Sequence, residues 1–172
     1  MCTDPAGHSK TDNYARIDRE WFEAIGIQFA QCDVLDDRVT PARAIELVRD
    51  ASCILLMGGD TARQFRFMRE YGLIGPIRES GAAVLGLSAG AINMAALAFN
   101  EAVESPYEGL ALADISIAPH FNASKDDTAL MERMRAFSQG HPSTPCATAA
   151  PSSCRARGPR CSAKFIRFIK AR

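Results

Sequence analysis

A strand, a serine and a helix meet in one short stretch of this chain. Ala82 to Leu85 is an apolar run, and Gly86-Leu87-Ser88-Ala89-Gly90 follows it directly. Gly-x-Ser-x-Gly after a buried strand is the pattern of a nucleophile elbow, with the serine at the corner between strand and helix. It constrains the fold because a strand that turns straight into a helix forces its corner residue into a sparsely allowed backbone conformation. Small residues on both sides let the chain pass without clashes. The corner hydroxyl is then exposed at a helix N-terminus, where free N–H groups favour a developing anion. The competing reading is a Gly/Ala-rich turn that carries an ordinary serine.

The residues around the elbow alternate between helix and strand patterns. Tyr14, Ile17, Trp21, Phe22 and Ile25 lie at helical spacing, so residues 13–25 read as an amphipathic helix that Gly26 ends. Ile27 to Gln31 reads as a short strand. Thr40-Pro41 is an N-cap followed by proline at the first helical position, which predicts a helix over Ala42 to Arg49. Cys53 to Met57 is a compact apolar run of the kind buried in a parallel sheet. Gly58-Gly59-Asp60-Thr61 turns the chain into a helix over Ala62 to Tyr71, and a short helix spans Ile74 to Ser80. Ala89 to Ala98 reads as the helix after the elbow, and Ile115 to Ala118 as a further strand. Ser124-Lys125-Asp126-Asp127 resembles a capping box for a helix to about Phe137. Alternation of this kind predicts an α/β fold, a mostly parallel sheet covered on both faces.

A serine nucleophile needs a base, and the base an orienting acid. The sequence holds three histidines, His8, His120 and His141. His120 sits in Ala118-Pro119-His120-Phe121, just past a strand's C-terminal end, the edge at which open α/β sheets bind ligands. The plain alternative is a solvated loop histidine. Gly58-Gly59-Asp60-Thr61 also follows a strand end, and its N–H groups would complete an oxyanion hole beside the N–H of Ala89. The plain alternative there is a turn that caps a helix through Asp60 or Thr61. It is not a phosphate-binding P-loop, because no Gly-Lys-Ser/Thr follows.

GGDT, GLSAGA and PHF in this order resemble the peptidase E and cyanophycinase family of serine peptidases, on the class I glutamine amidotransferase-like fold. The resemblance extends to Asp12-Asn13-Tyr14, Leu35-Asp36-Asp37, Ser88 to Met94 and Tyr107-Glu108-Gly109-Leu110-Ala111-Leu112, and covers residues 11–141. It implies a three-layer sandwich with flavodoxin-like layering. It implies Ser88 as nucleophile, His120 as general base, and Gly59 and Ala89 as oxyanion-hole positions. The triad acid would lie between the serine and the histidine, where Glu101, Glu104, Glu108 and Asp114 are available; spacing favours Glu104, then Glu101. The implied reaction is hydrolysis of small peptides, including dipeptides with an N-terminal aspartate, without cofactor or metal. Serine in place of cysteine at the elbow argues against glutamine-dependent ammonia transfer. Recognition of an acidic side chain needs an arginine near the site; Arg63 and Arg66 follow the GGDT turn but read as a solvated helix face.

Both ends depart from that pattern. Met1 to Lys10 is polar and unlike the strand that normally opens the fold, so the fold is expected to be truncated there. Residues 1–140 hold 13 Lys/Arg against 20 Asp/Glu, whereas residues 141–172 hold 7 Lys/Arg and no acid. Residues 142–172 therefore read as an atypical Ser/Pro/Arg/Cys-rich tail in place of the expected strands. A shift of reading frame accounts for that composition; a basic tail for nucleic acid or anionic lipid is the alternative. A chain altered at both ends also admits a catalytically inactive fragment, or a binding module on the same fold.

The remaining expectations are exclusions. The six cysteines form no CxxC pair and histidine is scarce, so no zinc site is expected. No apolar run approaches the roughly 18 residues of a membrane span, and the N-terminus lacks a signal peptide's apolar core. The expected location is cytoplasmic and the expected partner a small peptide. Membrane and nucleic-acid partners are not expected, and a homodimer stays open.

Overall fold

Residues 6–99, 106–118, 128–141 and 146–148 are described by a computed structural model of the chain. His120, Glu101 and Glu104 lie outside the described residues, as do 142–145 and 149–172 of the basic segment.

The first helix, α1 (His8–Ala24), begins five residues before its expected start. Its apolar stripe does not face inward: Trp21 is 65% and Ile25 72% exposed, while Thr11 and Asp18 are buried. Gly26 adopts φ +83°, and the N–H of Ile27 returns to the Phe22 carbonyl (2.9 Å). Phe29 then packs edge-on against Phe22, ring centroids 5.3 Å apart. These contacts fold residues 27–31 back onto α1, and the strand expected there does not form.

The next elements follow their local signals. Thr40 caps α2 (Pro41–Asp50) by accepting from the Arg43 N–H, with Pro41 in the first turn and Arg49 in the last. β1 (Cys53–Leu56) leads through Gly58-Gly59 to α3 (Thr61–Glu70), which Asp60 caps by accepting from the Arg63 N–H at 2.8 Å. α4 (Ile74–Glu79) precedes β2 (Ala83–Gly86), and β2 pairs in parallel with β1 from Cys53↔Ala83 to Leu56↔Gly86. Apolar side chains of α2, β1, α3 and α4 form the main core, with Val48, Leu56, Met68, Leu73 and Ile77 at its centre. α2 packs beside α4, and α3 beside α5 (Ala89–Asn93).

The helix after the elbow is shorter than expected. It ends at Asn93, and Leu97–Ala98 is a strand, β3, antiparallel to β4 (Tyr107–Glu108). The reason is where the carbonyls go. Those of Asn93 and Met94 accept from Leu110 (2.8 Å) and Leu112 (2.9 Å), partners far along the chain, so the helical ladder stops. β5 (Ser116–Ala118) pairs in parallel with β6 (Cys146–Thr148), and α6 (Thr128–Gly140) lies between them in sequence. The Ser116 hydroxyl donates to the Leu97 carbonyl and ties β5 to β3. The architecture is mixed α/β with parallel strand pairing, as the sequence pattern implies. No described helix is long and apolar enough to cross a membrane.

Candidate active site

The in-register pairing of β1 and β2 sets both strands flush at their C-terminal ends. The Leu87 N–H donates to the Leu56 carbonyl at 2.9 Å. Two loops therefore leave the sheet side by side: Met57 to Asp60 from β1, and Leu87-Ser88 from β2. A Cβ placed on Gly58 would lie 3.5 Å from the Ser88 Cβ, so the GGDT turn rests directly against the elbow serine.

Ser88 holds φ +49° and ψ −107°. That pair lies outside every region that an L-residue favours and costs about 1–3 kcal/mol, a strain that only a determined surrounding structure maintains. Two glycines make it possible. A Cβ on Gly86 would come within 2.6 Å of the Ala91 nitrogen, and one on Gly90 would overlap the Leu56 carbonyl. α5 then starts at once, with the Ser88 carbonyl accepting from Ile92 at 3.1 Å. Ser88 is half-buried, while Gly58, Gly59 and Asp60 face solvent. Gly59 has φ +130°, a conformation open in practice only to glycine.

Ser88, Ala89 and Gly59 are thus brought to one edge of one sheet. Glu108 on β4 and Asp114 ahead of β5 are both exposed, and Arg63 and Arg66 lie on the exposed face of α3. An open groove of about 830 Å³ lies elsewhere, between α1, the 28–35 segment and β1; Asp18, Phe22, Leu35 and Val48 line it, and Ser88 does not.

Behind the serine lies a buried polar network that the sequence reading missed. Gln64 on α3 and Asn93 on α5 are both fully buried. Gln64 Nε2 donates to the Met57 carbonyl (2.9 Å). Asn93 Nδ2 donates to the Thr61 carbonyl (3.1 Å) and to Gln64 Oε1 (3.0 Å). The Tyr107 hydroxyl donates to Asn93 Oδ1 at 2.6 Å. Burial, with the nearby Asp60 charge second, raises the Tyr107 pKa, which keeps that hydroxyl a donor. The one signal in the sequence was an amide on the inner face of each helix.

Near the start of α1, His8, Asp36 and Asp37 present ligand atoms within 4.8 Å of one another. The chain's own side chains already serve them. His8 Nε2 pairs with Asp37 at 2.5 Å, and Arg38 binds buried Asp36 and exposed Asp12 together. Burial pushes the Asp36 carboxyl up, but the hydrogen bonds and charge of Arg38 outweigh it and hold the carboxyl below its ordinary value. Cys32 and Cys53 are free thiols, with burial raising the pKa of Cys53.

The sequence matches the description of peptidase family S51 over residues 5–150. The chain belongs to peptidase family S51. No relative was found among curated proteins. Among solved structures, the chain is similar to a putative peptidase E protein from Listeria monocytogenes EGD-e, with a TM-score of 0.54 and 22% identity over 69% of this chain and 66% of that one. It is also similar to a peptidase from an acI-B1 actinobacterium, with a TM-score of 0.58 and 23% identity over 75% of this chain and 57% of that one. The chain thus spans less than two thirds of the length of these structures. Within this S51 chain, the strained Ser88 and the GGDT turn are the candidate site residues that the described residues bring together.

Proposed function

We propose that this S51 chain is a serine-type peptidase acting on small peptides, dipeptides with an N-terminal aspartate among them. The observation that carries the reading is the backbone of Ser88, held at φ +49° and ψ −107° between two glycines that admit no side chain. Strain of that kind at a half-buried serine, beside an exposed glycine turn, fits the nucleophile elbow of an acyl-transfer enzyme. The inferred frame is a three-layer sandwich, with α2 and α4 on one face of the sheet and α3 and α5 on the other.

In the proposed reaction, Ser88 Oγ attacks the peptide carbonyl and His120 accepts the hydroxyl proton. The N–H groups of Gly59 and Ala89 stabilise the oxyanion. As the C–N bond breaks, His120 returns the proton to the leaving amine. Water then attacks the acyl-serine ester, its proton passing to His120 and back to Ser88, and the acid is released. Glu104 orients His120 in this scheme.

A peptide panel tests it. Cleavage of N-terminal aspartyl dipeptides that falls roughly 10³-fold or more in Ser88→Ala and His120→Ala supports the scheme. A larger loss in Glu101→Ala than in Glu104→Ala would reassign the acid. Hydrolysis that persists in Ser88→Ala contradicts the scheme.

A further inference from the structure

The two proposed oxyanion donors stand on different loops, Gly59 after β1 and Ala89 after β2. Their separation decides whether both N–H groups reach one oxygen, because useful donors lie about 2.7–3.1 Å from the oxyanion. The sheet fixes the loops only as far as Leu56 and Leu87, whose N–H makes the last bond of the ladder to the Leu56 carbonyl.

Gln64 and Asn93 bridge what the sheet leaves open. Gln64 holds the Met57 carbonyl, two residues before Gly59. Asn93 holds the Thr61 carbonyl, two residues after it. The Asn93–Gln64 hydrogen bond joins these two grips to each other, and Asn93 belongs to α5, whose first residue is Ala89. Both hydrogens of the Asn93 amide are used and its oxygen accepts from Tyr107, so the amide has one satisfied orientation. Apolar side chains of equal volume would also pack α3 on α5, at the cost of leaving the Met57 and Thr61 carbonyls without these side-chain donors. What they would not do is fix the bearings of the Met57 and Thr61 carbonyls.

We propose that Gln64 and Asn93 are positioning residues that set the spacing between the Gly59 and Ala89 N–H groups, with Tyr107 locking the Asn93 amide. The inference rests on the serine-peptidase reading above.

The test uses the whole chain and a fluorophosphonate probe, whose phosphoryl oxygen would occupy the same two-donor site. Ser88 Oγ displaces fluoride from phosphorus, and the hydroxyl proton leaves to the base. Saturation kinetics separate the maximal labelling rate from probe affinity. Gln64→Met, close in volume and lacking both hydrogen bonds, is expected to lower the maximal rate about 10- to 100-fold with affinity within about twofold. Tyr107→Phe, which removes only the hydroxyl, is expected to lower it by about threefold or more. Val48→Ala, on the buried face of α2, supplies the control: a lower Tm with an unchanged labelling rate. A folded Gln64→Met that loses Tm like Val48→Ala but labels at the wild-type rate overturns the proposal. Should Gln64→Met fail to fold, an unchanged rate in Tyr107→Phe overturns it instead. Wild-type protein that is not labelled at Ser88 overturns the peptidase reading and this inference with it, whereas normal Ser88 labelling with unaffected variants overturns this inference alone.

Discussion

Gly90 sits directly over the Leu56 carbonyl, the same oxygen that accepts the Leu87 N–H at 2.9 Å. One backbone group thus closes the strand ladder and forms the floor under the elbow. A methyl group at residue 90 has nowhere to go, since what it meets is backbone rather than a flexible side chain. Gly90→Ala is expected to destabilise the protein by about 3 kcal/mol, through forced displacement of β1 from the elbow. Thermal melts of the variant check this, and a Tm equal to wild type would show that the elbow is looser than the packing implies.

The strain at Ser88 makes a prediction of opposite sign. Glycine accepts φ +49° and ψ −107° far more readily than serine or alanine does. Ser88→Gly is expected to stabilise the fold by about 1 kcal/mol relative to Ser88→Ala while abolishing nucleophilic reactivity. Paired denaturant titrations measure the difference, and a Gly variant no more stable than the Ala variant would argue against strain.

Much of this geometry was legible in local sequence. The elbow glycines, the Thr40-Pro41 start of α2 and the Asp60 cap of α3 act within a few residues, and all three form as read. The failures come from contacts distant in sequence or from backbone closure. Ala89 to Ala98 has a continuous helical composition, yet the Asn93 and Met94 carbonyls are claimed by Leu110 and Leu112. Ile27 and Phe29 have strand-like alternation, but Phe22 captures both. The Gln64–Asn93–Tyr107 network joins residues 14 to 43 positions apart, and no local pattern encodes it.

Arg38 gives the fold an acid-sensitive joint. It holds the buried Asp36 carboxyl below its ordinary pKa, so the stability from the pair is present above the unfolded value near pH 4 and is lost as pH falls through the lower folded value. Arg38→Gln is therefore expected to lower Tm at pH 7 more than at pH 3. Melts at the two pH values decide it, and a loss independent of pH would separate Arg38 from Asp36 ionisation.

Asp18 carries the opposite sign. It is buried on the inner face of α1, and burial raises its carboxyl pKa. A raised acid pKa means stability falls as pH rises from the unfolded value through the folded one, and the penalty remains at neutral pH. Asp18→Asn removes the charge and is expected to raise Tm by a few degrees at pH 7, with the gain shrinking toward pH 4. Unchanged or lower Tm at pH 7 would show that the carboxylate is satisfied where it stands.

The most direct test of the account is the site of labelling by a fluorophosphonate. The full chain is treated with the probe, its cooperative melting is verified, and the adduct is mapped by peptide mass. The account predicts a single phosphonylated residue, Ser88, and no adduct in Ser88→Ala. A folded protein that takes no label, or one whose label survives in Ser88→Ala, would contradict it.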